Sequence, residues 1–317
     1  MGMNDTKKVL LAGASGVLGR HITEALTRAG HTVIGLGRGA GAGVRADLMD
    51  RDGLLRAVDG IEADTVVHAA TALRAAPMRH KDMFATDDLR VTGTRNLMEA
   101  ARALGARRVI AESMVFGYGY RDFGDHVITE DADPFAPAGD RAVERHLEGM
   151  RVKEELMLGA DGIEGIALRF GLFYGAGGTE ALAEMLRRRR VPAVADHGRV
   201  LPWVDLADAG RAVALAVEGG RPGQAYNIVD DTPTGFGAHV RKVAEAYGTP
   251  KPVSVPTWLM RPFPYVHRMV TTSMRVSNAR AGAELGWAPS HADCAERLRV
   301  LAGNRPGRPP LNTGVRE

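Results

Sequence analysis

The sequence of 317 residues has one cysteine and no long apolar run, and each shortage excludes a class of protein. Because Cys294 stands alone, the chain cannot form an internal disulfide, and cysteine ligands cannot assemble a metal cluster. No stretch reaches the ~18 apolar residues that a membrane helix needs. The first eight residues are polar, so a secretory signal is not expected. We therefore expect a cytoplasmic protein with no metal site and no membrane contact.

Charge of one sign is also scarce. The chain has 41 basic and 38 acidic residues, for a formal charge of +3. A run of four arginines, 187–190, ends a helix predicted to begin near Thr179, where cations are favourable. No aromatic residues alternate with this run, as they would in many nucleic-acid sites. We expect a small-molecule substrate and no nucleic-acid partner.

Glycine is abundant, and its spacing near the N-terminus is the most informative feature of the chain. A short apolar strand that starts at Val9 leads into Gly13, Gly16 and Gly19, and an amphipathic helix follows. Gly13 allows a sharp turn, Gly16 lets backbone approach a diphosphate, and Gly19 lets the helix lie close to the sheet. The helix N-terminus supplies free N–H groups for phosphate oxygens. This pattern predicts a dinucleotide site that also includes Ser15, Val17 and Leu18.

Strands and helices alternate through the first two thirds of the chain. This alternation predicts an α/β fold, a doubly wound parallel sheet of the NAD(P)-binding Rossmann type. After Gly171, frequent prolines break the chain into shorter pieces and predict a smaller, interrupted α/β substrate lobe. The predicted domains are 1–170 with 201–230 for the nucleotide, 171–200 with 231–303 for the substrate, and a tail at 304–317.

Several motifs, in the same order along the chain, resemble the extended short-chain dehydrogenase/reductase superfamily, the NAD-dependent epimerase/dehydratase group. Beyond the glycines, Asp47-Leu48 matches the pair that contacts adenine, and His68-Ala69-Ala70 matches the strand beneath the cofactor. The segment from Val91 to Leu97 is similar to the helix signature N-V-x-G-T-x-N-L, although Arg90 replaces its first asparagine. Further matches are Arg169–Gly175, Trp203–Asp208 and Leu285–Pro289.

The resemblance implies a nicotinamide cofactor and a catalytic serine or threonine with a Tyr-x-x-x-Lys pair, whose phenol exchanges a proton during hydride transfer. Ser113 matches the serine and Lys153 matches the lysine. However, Gly149 stands where the tyrosine belongs, and a shift of the alignment to Arg151 would put Leu147 there. No tyrosine occurs between Tyr120 and Tyr174. The chain is identified as an atypical member that lacks the usual proton donor.

Three alternatives stay open for the chemistry. Tyr118 or Tyr120, just beyond Ser113, could handle the proton with help from Lys153. Ser113 could instead bind a substrate carbonyl while water relays the proton. The nucleotide could also be bound without redox turnover. His146 fits either an exposed helical position or a proton shuttle.

The end of the second predicted strand bears on the choice of cofactor. NAD enzymes place an acid there for the ribose 2′-hydroxyl, whereas an arginine accommodates a 2′-phosphate. Arg38 lies at this end and no acid appears before Asp47. This favours NADP over NAD.

Together these observations predict an atypical NADP(H)-dependent oxidoreductase or epimerase-like enzyme for a small carbonyl, alcohol or sugar-like metabolite. The alternative is a redox-silent nucleotide-binding protein, either a non-redox isomerase, lyase or cyclase or an NADP(H) sensor. The resemblance also implies a homodimer through the helices near 88–104 and 142–158.

Overall fold

The computed structural model describes residues 6–73, 75–291 and 293–303; the predicted tail at 304–317 lies outside them. The strands are β1 (Lys8–Ala12), β2 (Thr32–Gly37), β3 (Val44–Arg45), β4 (Thr65–His68), β5 (Arg108–Met114), β6 (Asp122–Ile128), β7 (Glu164–Phe170), β8 (Leu172–Tyr174), β9 (Ala193–Val194), β10 (Trp203–Asp205), β11 (Gln224–Ile228), β12 (Ser254–Val255) and β13 (Ser273–Val276). The α-helices are α1 (Val17–Arg28), α2 (Arg51–Val58), α3 (Phe84–Asp88), α4 (Thr94–Ala103), α5 (Arg141–Leu158), α6 (Thr179–Arg187), α7 (Leu206–Glu218), α8 (Phe236–Ala246), α9 (Pro264–Thr271), α10 (Ala279–Leu285) and α11 (Cys294–Gly303).

Seven parallel strands form the large sheet, in the order β11-β7-β5-β4-β1-β2-β3. The predicted α/β fold with a doubly wound parallel sheet is confirmed. Because the chain leaves β1 toward β2 on one side and returns to β4 on the other, the order reverses between β1 and β4. In such sheets ligands bind beyond the carboxyl ends of the strands at that reversal.

Both faces of this sheet are buried, as a parallel sheet requires. Side chains alternate along β1, so Val9 and Leu11 face one core cluster while Leu10 faces the other. The first cluster is closed by α1 and α7, and the second by α2, α4 and the C-terminal part of α5. Helix α5 therefore crosses the sheet next to β5 and β7.

A further core cluster joins the short elements of the second half to the carboxyl end of β5. Phe116 and Tyr120, which follow β5, share this cluster with Leu147 of α5 and with Leu186 and Met269 from α6 and α9. Short parallel pairs, β8 with β10, β9 with β12 and β6 with β13, complete this part. The short elements of the second half thus pack where parallel sheets bind ligands, and the exact domain bounds stay a prediction.

One predicted helix contains an irregular turn. The sequence pattern predicts a helix over 88–104, and the chain is helical from Phe84 to Ala103, with a π-helical turn at Leu89–Gly93 between α3 and α4. Val91, Thr92 and Gly93 all have low helix propensity, which permits this irregular turn.

Candidate active site

The loop between β1 and α1 forms a cradle lined by backbone. Gly13 has φ of +95°, and a Cβ there would lie 2.7 Å from the Ala69 carbonyl oxygen. A Cβ on Gly19 would lie 2.1 Å from the Gly13 carbonyl oxygen, so a larger residue cannot replace this glycine without moving the loop. Gly16 caps α1 without a side chain, which leaves the first helical turn open to an anion. The predicted residues Ser15, Val17 and Leu18 lie in the same turn, and together they fit the diphosphate of a dinucleotide.

Arg38 and Asp47 lie at the open edge beyond β2. The Arg38 guanidinium is 3.9 Å from Asp47 Oδ2, and both side chains are largely exposed. The Met49 amide donates to Asp47 Oδ1 over 3.0 Å, which fixes that carboxylate. Leu48 is buried between them and the sheet, with its carbonyl held by Asn96. The predicted adenine and 2′-phosphate residues therefore share one edge, with a positive group free to meet a ligand.

His68, Ala69 and Ala70 lie at the carboxyl end of β4, next to the glycine cradle. The Ala69 and Ala70 backbones are the atoms that a Cβ on Gly13 would strike. His68 is fully buried, and burial, with the positive charges of Lys153 and Arg90, holds its pKa well below the usual value. Its ring is thus a neutral packing group beneath the site.

Lys153 reaches the same strand end from α5. Its Nζ donates to the His68 carbonyl over 3.0 Å and to Glu112 Oε2 over 2.9 Å. Burial lowers the pKa of Lys153, while the charge of Glu112 opposes that shift. Glu112, adjacent to Ser113 on β5, was not identified from the sequence, although its place at a strand end could have drawn attention to it.

Ser113 and Tyr118 belong to a group of buried side chains that we call the Glu154 cluster. The Ser113 hydroxyl donates to Glu154 over 2.6 Å, and Arg169 donates to both oxygens of the same carboxylate. Arg169 also donates to the Tyr118 hydroxyl, which in turn donates to Asn227. The Glu154 cluster comprises Ser113, Tyr118, Glu154, Arg169 and Asn227.

The two tyrosines proposed as proton donors occupy different surroundings. Tyr118 is held inside the Glu154 cluster, and burial raises its pKa. Tyr120 stacks on Phe116 and has the Tyr265 hydroxyl as a hydrogen-bond partner; burial raises its pKa as well. A phenol activated by lysine would have its pKa lowered instead. Catalytic roles for Ser113, Tyr118, Tyr120 and Lys153 stay predictions.

Gly149, which the family resemblance aligns with the tyrosine, lies where α5 packs against α3. A Cβ on this residue would lie 3.3 Å from the Cα and Cβ of Asp87, which belongs to α3. A contact that short is tight, so a side chain at residue 149 would require α3 or α5 to move slightly. The close approach of α3 to α5 at this point therefore favours glycine.

Asp87 also begins a chain of hydrogen bonds that we call the His relay: Asp87, His146 and His80. Asp87 Oδ2 is 2.7 Å from His146 Nδ1, and His146 Nε2 is 3.0 Å from His80 Nδ1. Asp87 and His146 are buried, whereas His80 is half-buried. The position of His146, seven residues before Lys153 and so on the same face of α5, was a usable sequence signal. Asp87 and His80 carried none.

Metal-binding groups and membrane-spanning helices are both absent from the residues that the structure describes. Among these residues, no group of three or more histidine, cysteine, aspartate or glutamate side chains is arranged to hold a metal ion. None of the described helices is both long and apolar enough to cross a membrane.

Comparisons with known proteins agree with this architecture. The sequence model described as "NAD dependent epimerase/dehydratase family" matches residues 9–229. A curated protein named 3-diazoavenalumate denitrifying reductase, from a Streptomyces species, is 33% identical over 304 residues, which cover 92% of this chain and 99% of that protein.

Two solved structures have the same fold. A human epimerase family protein with NADPH superposes with a TM-score of 0.76 at 19% identity, covering 94% of this chain and 100% of the other. The UDP-glucose 4-epimerase of Thermus thermophilus, in complex with NAD, superposes with a TM-score of 0.73 at 22% identity, covering 93% and 97%.

Proposed function

The chain belongs to the NAD-dependent epimerase/dehydratase family, and we propose that it is an NADP(H)-dependent reductase of a small aromatic substrate. The observation that carries the proposal is the glycine cradle at the start of α1, which has the shape and the free amides for a diphosphate. The 33% identical relative covers nearly the whole chain and is named a reductase. We take its diazo substrate as the first substrate class to test, before carbonyl, alcohol and sugar-like compounds.

The cofactor would lie along the carboxyl ends of β1, β2 and β4. The Gly13 and Gly16 amides donate to the Leu36 and Gly13 carbonyls, so the amides in the first turn of α1 would hold the diphosphate. Asp47 with Leu48 would border the adenine. Arg38 would pair with a 2′-phosphate, because its exposed guanidinium has only a 3.9 Å contact with Asp47. When bound, the reduced nicotinamide supplies a hydride.

The packing at Gly149 supports a substrate that needs no phenol. Reduction of a carbonyl creates negative charge on oxygen and calls for an acid beside it. A hydride added to the outer nitrogen of an aryl diazonium ion instead neutralises a positive charge and gives a diazene. The diazene loses its N–H proton, the C–N bond breaks with release of N2, and the aryl carbon gains a proton. Atoms and charge balance as diazonium plus hydride giving arene plus N2.

The phenyl and imidazole rings near Gly149 suit such a substrate. Tyr265 meets the rings of His80 and His146 edge-on, with centroid distances of 5.8 and 5.7 Å. The Tyr120 ring also meets the Tyr265 ring edge-on, with ring centroids 6.5 Å apart. Tyr120 and His146 are buried, so partly exposed His80 and Tyr265 would be the rings that contact a planar aromatic molecule.

The test follows NADPH oxidation by absorbance with a hydroxyarenediazonium compound, an aldehyde, a ketone and a nucleotide sugar. Headspace mass spectrometry of a ¹⁵N-labelled diazo substrate measures the N2 released. We expect oxidation of NADPH with release of one N2 per NADPH. Tight NADPH binding with no turnover of any compound would favour the redox-silent alternative.

A variant separates binding in the cradle from direct chemistry in solution. Gly16→Val keeps an allowed backbone, since φ is −69°, but fills the cradle with a side chain. We expect it to lose NADPH binding and turnover together. Gly282→Ala, on α10, adds a methyl group 3.6 Å from the Trp287 carbonyl oxygen and should behave as the wild type.

The preference for NADP has its own test. Changing Arg38→Asp should weaken NADPH binding by about 1–3 kcal/mol, the scale of charge-assisted hydrogen bonds, while NADH binding stays within a few-fold. Isothermal titration calorimetry measures both affinities. Arg107→Asp makes the same charge change at an exposed site and should alter neither. Unchanged NADPH affinity in the Arg38 variant would refute the assignment.

We also propose that the protein is a homodimer formed through α4 and α5, as the family resemblance implies. Light scattering coupled to size exclusion at micromolar concentration measures the mass. A mass near twice the 33.9 kDa of the chain is the expected result.

A further inference from the structure

The His relay joins three separate segments of the chain. His80 lies in the long connection after β4, Asp87 lies on α3 and His146 lies on α5. Tyr265, on α9, meets both imidazole rings edge-on. The relay therefore stands where the large sheet meets the short elements of the second half, beyond the carboxyl ends of the strands.

Hydrogen-bond chemistry decides which ring nitrogen is available. The Asp87 carboxylate can only accept, so His146 Nδ1 carries hydrogen and donates over 2.7 Å. In a neutral His146 ring Nε2 then accepts, and its donor is the Nδ1–H of His80 at 3.0 Å. A neutral His80 ring with hydrogen on Nδ1 has a bare Nε2. The relay thus presents a proton acceptor from a half-buried side chain.

Charged groups lie on both sides of the relay. The Arg90 guanidinium lies 3.5 Å from Asp87 Oδ1 and pairs with that carboxylate. Beside His80, the charges of Asp140 and Arg268 form a pair at 3.0 Å and largely offset each other. Burial lowers the pKa of His80. His80 is accordingly neutral at pH 7 and able to accept a proton.

We propose that His80 is the general base of the proposed reaction, and that His146 and Asp87 position it. The inference rests on the proposed function and names its proton acceptor. In the diazo reaction, His80 Nε2 takes the N–H proton of the diazene as the N–H bond breaks. The imidazolium then returns that proton to the aryl carbon as N2 leaves, so the base is regenerated and no net proton is consumed.

This role would let the reaction proceed without a phenol at residue 149. Asp87, which lies 3.3 Å from a Cβ placed on Gly149, is also the residue that orients His146. The packing of α3 against α5 at Gly149 and the relay therefore share one residue.

The first experiment uses the free protein and needs no substrate. NMR titration of the imidazole ¹H and ¹⁵N signals gives the pKa of His80 in the wild type, in His146→Gln and in Asp87→Asn. Loss of the negative Asp87 should lower the His80 pKa, and loss of His146, which accepts the hydrogen bond from His80 Nδ1–H, should lower it as well. The exposed His126 is an internal control that should titrate identically in all three proteins. An unchanged His80 midpoint in both variants would overturn the relay.

The second experiment measures turnover as a function of pH, with whichever compound of the NADPH oxidation assay is a substrate. In the wild type, kcat/KM should rise with pH through a midpoint below 6.5, as His80 loses its proton. His80→Gln should lower kcat/KM on the order of 10²-fold or more and abolish that limb of the profile. Added imidazole should restore part of the rate to His80→Ala, and His126→Gln should match the wild type.

The outcomes separate the two proposals. If the wild type turns over substrate while His80→Gln keeps the same rate and pH profile, His80 is not the base, although the reductase assignment stands. If Tyr120→Phe abolishes turnover and His80→Gln does not, the phenol is the proton-transfer group instead. If the wild type oxidises NADPH with none of the compounds, the proposed function fails, and with it the assignment of a base.

Discussion

The Glu154 cluster and the His relay both include residues of helix α5, but they differ in where their hydrogen bonds end. In the Glu154 cluster, the Glu154 carboxylate accepts from Ser113 and Arg169, and the chain of donors closes on Asn227 inside the protein. The His relay begins in the same way at a buried carboxylate but ends on a ring nitrogen of half-buried His80. A closed cluster holds elements together, whereas an open one has a group left for a ligand.

The two clusters also differ in what they join. Glu154, Arg169 and Ser113 tie α5 to β7 and β5, the elements that form the sheet and its cover. The His relay ties α5 to α3 and to the connection after β4. The Glu154 cluster therefore lies within the framework, although Glu154 and Arg169 also line a pocket beside Phe135, and the relay lies at the edge of the framework.

The largest expected effect comes from opening the closed cluster. Glu154→Leu leaves the Arg169 guanidinium buried without its carboxylate, and loss of one partner of a buried pair lowers the free energy of unfolding by about 3–5 kcal/mol. Urea unfolding followed by circular dichroism measures the change. We expect NADPH to bind the folded fraction with wild-type affinity.

Its neighbour on the helix is a matched control. Glu155 pairs with Arg151 at the surface, and exposed pairs contribute about 0–1 kcal/mol. Glu155→Leu should therefore unfold at nearly the wild-type urea concentration. Equal losses from the two substitutions would mean that the Glu154 cluster is not a special source of stability.

The next effect tests the packing between α3 and α5. Gly149→Tyr forces a ring into a space where even a Cβ would be 3.3 Å from Asp87, so we expect a loss of about 3 kcal/mol from overpacking. Gly149→Ala should cost less, because alanine gains about 1 kcal/mol in helix propensity. Urea unfolding ranks the three proteins.

Activity adds a second measure to that ranking. Displacement of Asp87 should disturb the His relay, so Gly149→Tyr should turn over more slowly than the wild type despite its new phenol. A Gly149→Tyr protein that is both stable and faster would contradict the link between this packing and the relay.

Much of the fold could be predicted from the sequence because local signals agree with it. Apolar strands such as Val9 to Ala12, and glycines at turn positions, predicted the parallel sheet and the nucleotide cradle, and the sheet is confirmed. The π-helical turn at Leu89–Gly93 could not be predicted, since it depends on how α3 packs against α5. Low propensity permits such a turn without requiring it.

The candidate site was less predictable for the same reason. Gly149 indicated from the sequence that the usual phenol is missing. In contrast, Asp87 and His80 meet His146 only through tertiary packing, from segments some sixty residues away. Arg90 was a visible departure from the family motif, and it lies beside Asp87. A residue that departs from a family motif, as Arg90 does, can thus indicate a part of the site that differs from the family pattern.

The smallest expected effect is that of Ser113→Ala, and it tests whether the Glu154 cluster is closed to ligand. Its hydroxyl is buried and donates to Glu154 over 2.6 Å, so Ser113→Ala should lower the free energy of unfolding by about 1.5 kcal/mol, the lower end for a hydrogen bond to a charged group. Glu154 keeps Arg169, which limits the loss. Because that hydroxyl already has a protein partner, we expect kcat/KM to fall less than tenfold. A hundredfold fall with unchanged stability would instead place Ser113 against the substrate, as its position at the end of β5 predicts, and the Glu154 cluster would then be open to ligand as well.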